Sequence, residues 1–152
     1  MSLAYHSQYR LQKKLIVPTV ISHDFETVRF WTEKGILFCQ FLNTSVNYKL
    51  LEEDAVHFLL AIEQLTKGKQ IPMLVDLRNV VGSFSVEAVK LISNNEVFQQ
   101  NTTRQAFVIN TIHSKLLVLA FKRIYEPKKP FRIFDDVGKA LEYCVQGNDV
   151  RL

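Results

Sequence analysis

The sequence predicts an α/β domain built on a mostly parallel sheet. Three observations carry that expectation. Strand-like and helix-like segments alternate from Glu26 to Tyr143, the order that right-handed β-α-β crossovers require. The run Ile71–Leu77 is almost continuously apolar, which suits a strand covered on both faces. A glycine-containing loop joins the first two strand-like segments, giving an opening antiparallel hairpin.

Element by element, Glu26–Thr32 alternates, with Thr27, Arg29 and Trp31 on one side and Val28 and Phe30 on the other. Glu33-Lys34-Gly35 is the turn, and Gly35 is free to take positive φ. Ile36–Leu42 is the second strand. Leu51–Lys67 reads as a helix because Leu51, Ala55, Phe58, Ile62 and Leu65 recur at spacings of three and four. Glu52, Glu53 and Asp54 sit in its first turn, where the helix dipole favours negative charge. Gly68 lies just past its end. Ile71–Leu77 is the third strand, with Pro72 tolerated near its start.

Gly82 and Ser83 break the pattern. Ser85 can cap a helix through Val86, Val89 and Ile92, which Asn94-Asn95 ends or bends. Arg104–Asn110 is the fourth strand. Thr111 or Ser114 opens a helix through Leu116, Leu117, Ala120, Phe121 and Ile124. Pro127 and Pro130 stop it. Phe131–Phe134 is the fifth strand. Asp135 or Asp136 caps a last helix, with Val137, Ala140, Leu141 and Cys144 on one face, ending at Gly147.

A chain of 152 residues with 47% hydrophobic content has the size and composition of one globular domain. Residues 1–24 read as a partly flexible arm in which Leu15-Ile16-Val17 could add an edge strand. Residues 25–147 form the domain, and 148–152 a tail. The formal charge of +4 is spread over Lys13-Lys14, Lys67 and Lys69, Lys122-Arg123 and Lys128-Lys129. Nucleic-acid binders gather such charge into a patch, so no nucleic-acid partner is expected. Met1–Lys14 is polar and lacks the apolar core of a secretory signal. No apolar run reaches the ~20 residues of a membrane span. The expectation is a cytoplasmic protein.

The chemistry-bearing residues are sparse. There is no glycine-rich phosphate loop, no nucleophile elbow and no paired-histidine metal motif. Cys39 and Cys144 lie in apolar surroundings without CxxC spacing and read as small buried hydrophobes. His6, His23, His57 and His113 have no partners at ligand or triad spacing. Asp76 lacks the acidic pair that would hold Mg²⁺ beside a phosphoacceptor; it reads as an aspartate bonded to nearby backbone or to Arg78. No enzyme, metal or cofactor is expected. Ser83 and Ser85 flank Phe84 before a helix start, where a phosphate would meet free N–H groups and the positive end of the dipole. Both are phosphoacceptor candidates.

Met73-Leu74-Val75-Asp76-Leu77-Arg78-Asn79-Val80, together with the element order, resembles the anti-sigma-factor antagonist (STAS, SpoIIAA-like) family over about residues 26–146. In that family the turn into the second helix carries an Asp-Ser-Ser-Gly-like motif whose first serine is phosphorylated by a partner kinase. The motif falls on Phe84-Ser85-Val86-Glu87, where only Ser85 matches. The chain is also similar to uncharacterised bacterial proteins of that fold. The shared stretches resemble Gly35-Ile36-Leu37, Glu52-Glu53-Asp54-Ala55, Leu74-Val75-Asp76-Leu77-Arg78, Arg132-Ile133-Phe134-Asp135-Asp136 and Ala140-Leu141-Glu142-Tyr143.

The resemblance implies a STAS-like α/β sandwich with helices mainly on one face. It implies a non-catalytic regulatory module that binds a protein partner in a bacterial signalling circuit. The implied surface is Gly82, Phe84, Ser85 and Glu87, with Phe84 as an exposed anchor. The fold overlaps with Sec14-like modules, so the alternative is a site for a small apolar or anionic ligand, which requires a deep pocket under the helices. The edge of the opening hairpin offers pairing with a second copy of the chain.

Overall fold

The computed structural model describes residues 22–42, 45–125 and 129–149. Thirteen elements follow in order: β1 (Ser22–Asp24), β2 (Val28–Glu33), β3 (Ile36–Phe41), β4 (Lys49–Leu50), α1 (Glu52–Thr66), β5 (Ile71–Asp76), β6 (Ser83–Phe84), α2 (Val86–Ser93), α3 (Glu96–Asn101), β7 (Thr102–Val108), α4 (Ile112–Tyr125), β8 (Phe131–Phe134) and α5 (Val137–Asp149). Six strands make the main sheet, ordered β1-β2-β3-β5-β7-β8. The β1-β2 and β2-β3 pairs are antiparallel, and β3, β5, β7 and β8 run parallel. The expected α/β architecture is the one observed.

The opening hairpin closes through Lys34 (φ 51°) and Gly35 (φ 75°). Two consecutive positive φ values give the tight loop whose twist matches that of the strands it joins. The arm with its Leu15-Ile16-Val17 segment lies outside the described residues, except that Ser22–Asp24 pairs with β2. β1 therefore occupies the hairpin edge that the sequence left open for a second copy.

Alternation along the strands divides the core in two. Val28, Phe30, Leu37, Cys39, Met73, Val75 and Phe107 face the larger half, where they meet α1, α2, α3 and α4. Trp31, Ile36, Phe38, Leu74, Ala106 and Val108 face the other half, with Val137, Ala140, Tyr143 and Cys144 of α5. Both cysteines are buried and free, as their apolar surroundings predicted.

Caps fix the helix boundaries. The Leu51 N–H donates to the Asp54 carboxylate at 2.9 Å. Lys67 takes φ 51° and Gly68 φ 76° at the other end of α1. Thr111 Oγ1 accepts from the Ser114 N–H at 3.0 Å and opens α4. Asp136 accepts from the Lys139 N–H at 3.1 Å and opens α5. Asn95 does more than bend a helix: its side chain accepts from the Phe98 N–H at 2.8 Å and starts α3 as a separate element. α5 runs through Gly147 to Asp149, past the expected end.

Candidate functional site

The segment singled out by the sequence forms a strap across one end of the domain. β4 and β6 pair in parallel, Lys49 with Ser83 and Leu50 with Phe84. The Ser83 N–H donates to the Tyr48 carbonyl at 2.9 Å, and the Ser85 N–H to the Leu50 carbonyl at 2.8 Å. Gly82 enters this strap at φ 97°, a conformation that only glycine adopts without strain.

Ser85 is the N-cap of α2. Its Oγ accepts from the Ala88 N–H at 3.0 Å, and the residue is 8% exposed. Ser83 and Glu87 are exposed, whereas Gly82 is buried. Phe84 corrects the expectation of an exposed anchor. It is half-buried and stands edge-on to Phe121 of α4, with ring centroids 6.4 Å apart at 86°. Apolar surface on both sides draws the ring inward, and the large apolar side chain left outside is Val86, 45% exposed.

α4 adjoins the strap. His113 Nε2 lies 2.9 Å from the Gly82 carbonyl oxygen, tying the start of α4 to the entry of the strap. α4 contains the apolar run Leu116, Leu117, Ala120, Phe121 and Ile124, as the sequence predicted, but not all of it turns inward. Val118, Tyr125 and Ser114 are buried and Leu117, Phe121 and Ile124 half-buried, but Leu116 is 59% exposed and Ala120 is also exposed. Apolar residues occupy nearly every side of this helix, so spacing alone left its phase undetermined. The outcome is an exposed stripe of Ile112 (80% exposed), Leu116 and Leu119. Exposed Lys115, Lys122 and Arg123 flank it, and α4 contains no acidic residue.

Beneath the strap and helices lies a cavity of about 120 Å³. Phe30, Cys39, Met73, Val75, Gln105 and Phe107 form its sheet floor, and Phe58, Val89, Phe98, Val118 and Phe121 belong to its helical roof. Leu50, Ser83 and Phe84 of the strap also line it. Gln105 is the polar residue sequence reasoning missed. It lies in β7 two residues before Phe107, so strand alternation turns both side chains to the same face. Its Nε2 donates to the Tyr125 hydroxyl at 3.2 Å. Its Oε1 is buried with no hydrogen-bond partner among the described residues. Burial pushes the Tyr125 phenol up from its usual range, against hydrogen bonds from Gln105 and Gln99 that lower it.

Asp76 is held as the sequence predicted. Arg78 grips it in a fork, Nε to Oδ1 at 2.8 Å and Nη2 to Oδ2 at 2.6 Å. The Arg78 N–H also reaches Oδ1 at 3.1 Å. Burial, reinforced by the Asp76 charge, keeps the Cys39 thiol well above the usual thiol range. A thiol so displaced stays protonated and is a poor nucleophile. Among the described residues, no group of three His, Cys, Asp or Glu side chains could hold a metal ion. No helix among them is long and apolar enough to cross a membrane.

Residues 30–146 match a domain of unknown function, DUF7793. The chain belongs to the DUF7793 family. Among solved structures, this DUF7793 chain is similar to an uncharacterised protein of the DUF3478 family from Shewanella loihica PV-4, described as having a SpoIIAA-like fold. The TM-score is 0.50 with 16% identity, covering 83% of this chain and 92% of that one. That likeness shows the fold, and it agrees with the SpoIIAA-like architecture expected from the sequence. No curated protein matches the chain.

Proposed function

We propose that this DUF7793 protein is a non-catalytic regulatory module that binds a protein partner in a bacterial cytoplasmic circuit. One observation carries the reading: the exposed apolar stripe of Ile112, Leu116 and Leu119 on a helix that packs against α2. Isolated exposed apolar residues are ordinary, whereas an aligned set rimmed by polar residues marks an interaction surface. Ile112, Leu116 and Leu119 stand at i, i+4 and i+7, one line along the helix. The flanking Lys115, Lys122 and Arg123 select a partner with an apolar centre and an acidic rim.

The docking surface is thus α4 with Val86 and Glu87, rather than the strap itself. Ser85 is enclosed and engaged as a cap, so Ser83 is the more accessible of the two serines. The SpoIIAA-like fold is consistent with a regulatory role.

The test is affinity capture from the source cell with wild type, Ile112→Glu and Leu116→Glu. A partner with an acidic surface, retained by wild type and lost by both variants, is the expected result. Identical proteins from all three forms would sink the reading. So would binding only to anionic vesicles, which would assign α4 to a membrane surface.

A further inference from the structure

We propose that the cavity under α1, α2 and α4 is a binding site for a single-ring apolar molecule carrying one hydroxyl group, anchored at the Gln105 amide. The inference is independent of the partner surface on α4.

The wall dictates the apolar body. Seven phenylalanines line the cavity, from Phe30 on β2 to Phe121 on α4. Aromatic edges and faces favour an aromatic guest packed at offset or edge-on angles. Volume sets the size. A cavity of about 120 Å³ is close to the ~150 Å³ of an engineered apolar cavity that admits benzene. Drug-sized ligands need pockets of roughly 300 Å³ or more.

The hydroxyl follows from Gln105. The residue is 2% exposed, and one end of its amide is bonded to Tyr125 while Oε1 has no partner among the described residues. A leucine or methionine would fill this position without stranding a polar atom. A buried acceptor without a donor is costly and rare, and each case calls for an explanation. A hydroxyl both donates and accepts, so it satisfies the outer end of the amide whichever way the amide is turned.

The other polar side chains on the cavity wall do not compete. The Tyr48 hydroxyl already accepts from Thr27 Oγ1 at 3.2 Å, Ser83 lies exposed at the rim, and Cys39 offers only a neutral thiol. A lone water needs two to four polar partners, and the floor beside Gln105 presents Met73, Val75 and Phe107. The guest would also touch Leu50 and Phe84, the paired residues of the strap.

The experiment titrates phenol and toluene separately into the full chain and follows the Met73 methyl group by NMR. The two probes share a ring and differ in the hydroxyl. Phenol is expected to shift the Met73 methyl, to show ring-to-methyl proximity, and to bind at least tenfold more tightly than toluene. Gln105→Leu is expected to abolish that preference, and Gln105→Met is the second variant should leucine disturb the fold. No ring-to-methyl proximity would overturn the proposal. Equal affinity for the two probes in wild type, or a phenol preference that survives both variants, would overturn it as well.

Discussion

Replacing Ser85 by alanine separates a structural cap from a free hydroxyl. In the folded chain Ser85 Oγ accepts from the Ala88 N–H at 3.0 Å, and Ala88 is fully buried. Deleting the hydroxyl leaves that N–H without its partner and out of reach of water. N-cap replacements by alanine cost about 0.5–2 kcal/mol. The burial of Ala88 places this site near the top of that range, at about 1.5–2 kcal/mol, because a stranded buried donor bears its full desolvation cost. For a domain of this size each kcal/mol moves the melting temperature by roughly 2–4 °C, so a fall of about 3–8 °C is expected. Urea titration with an unchanged m-value would confirm that the loss lies in the native state. Ser85→Asp keeps an acceptor at the cap and should stay within about 0.5 kcal/mol of wild type. An alanine variant as stable as wild type, or an aspartate variant as weak as alanine, would refute the assignment of Ser85 as a cap.

Two further predictions rest on buried charge and buried thiols. Arg78→Ala strands the Asp76 carboxylate, whose side chain is 12% exposed like that of its partner. Breaking a buried pair costs ~3–5 kcal/mol, and the residual exposure here lowers the expected loss to about 2–4 kcal/mol. The double replacement Asp76→Asn with Arg78→Met should cost less than Arg78→Ala alone, and urea titration reads both. For the alkaline limb, burial pushes the Cys144 thiol up to about 12, against a smaller lowering by Arg104. Cys39, Tyr48, Tyr125 and Tyr143 are shifted in the same direction. Above pH ~9 the unfolded chain gives up thiol protons that the native state keeps, so stability falls as pH rises, by up to about 1.4 kcal/mol per unit for each thiol. Through pH 9–11 Cys144→Ala should flatten that slope, measured as the urea midpoint against pH.

Much of the fold was legible because its signals are local. The Lys34-Gly35 turn, the acidic first turn of α1, and the Thr111 and Asp136 caps are each written within a few residues. The Asp76–Arg78 pair was legible for the same reason, since two residues separate the partners. β4 and β6 were not, because each is a two-residue strand defined only by its partner more than thirty positions away. β1 was hidden likewise, being three residues long and dependent on β2. The phase of α4 was not legible, for a different reason. A helix apolar on most sides has no unique inward face until neighbours cover one of them, and tertiary contact then decides. The cavity and the stranded Gln105 oxygen depend on the same three-dimensional placement.

That excess of apolar residues on α4 joins the two binding features. Leu117, Val118 and Phe121 face the cavity, while Ile112, Leu116 and Leu119 face outward. One helix therefore forms part of the roof over an internal guest and the surface offered to an external partner. The strap is the second link: Phe84 lines the cavity and packs on Phe121, and Gly82 holds His113 at the start of α4. A guest that shifts α4 must alter partner affinity, and linkage requires the partner to alter guest affinity by the same factor. Such coupling is typically ~1–3 kcal/mol, or about 5–150-fold in affinity. If the helix does not move, the factor is one and the two sites act independently. Partner affinity measured with and without saturating phenol distinguishes these cases, and a ratio of one would confine the guest to stabilising the fold.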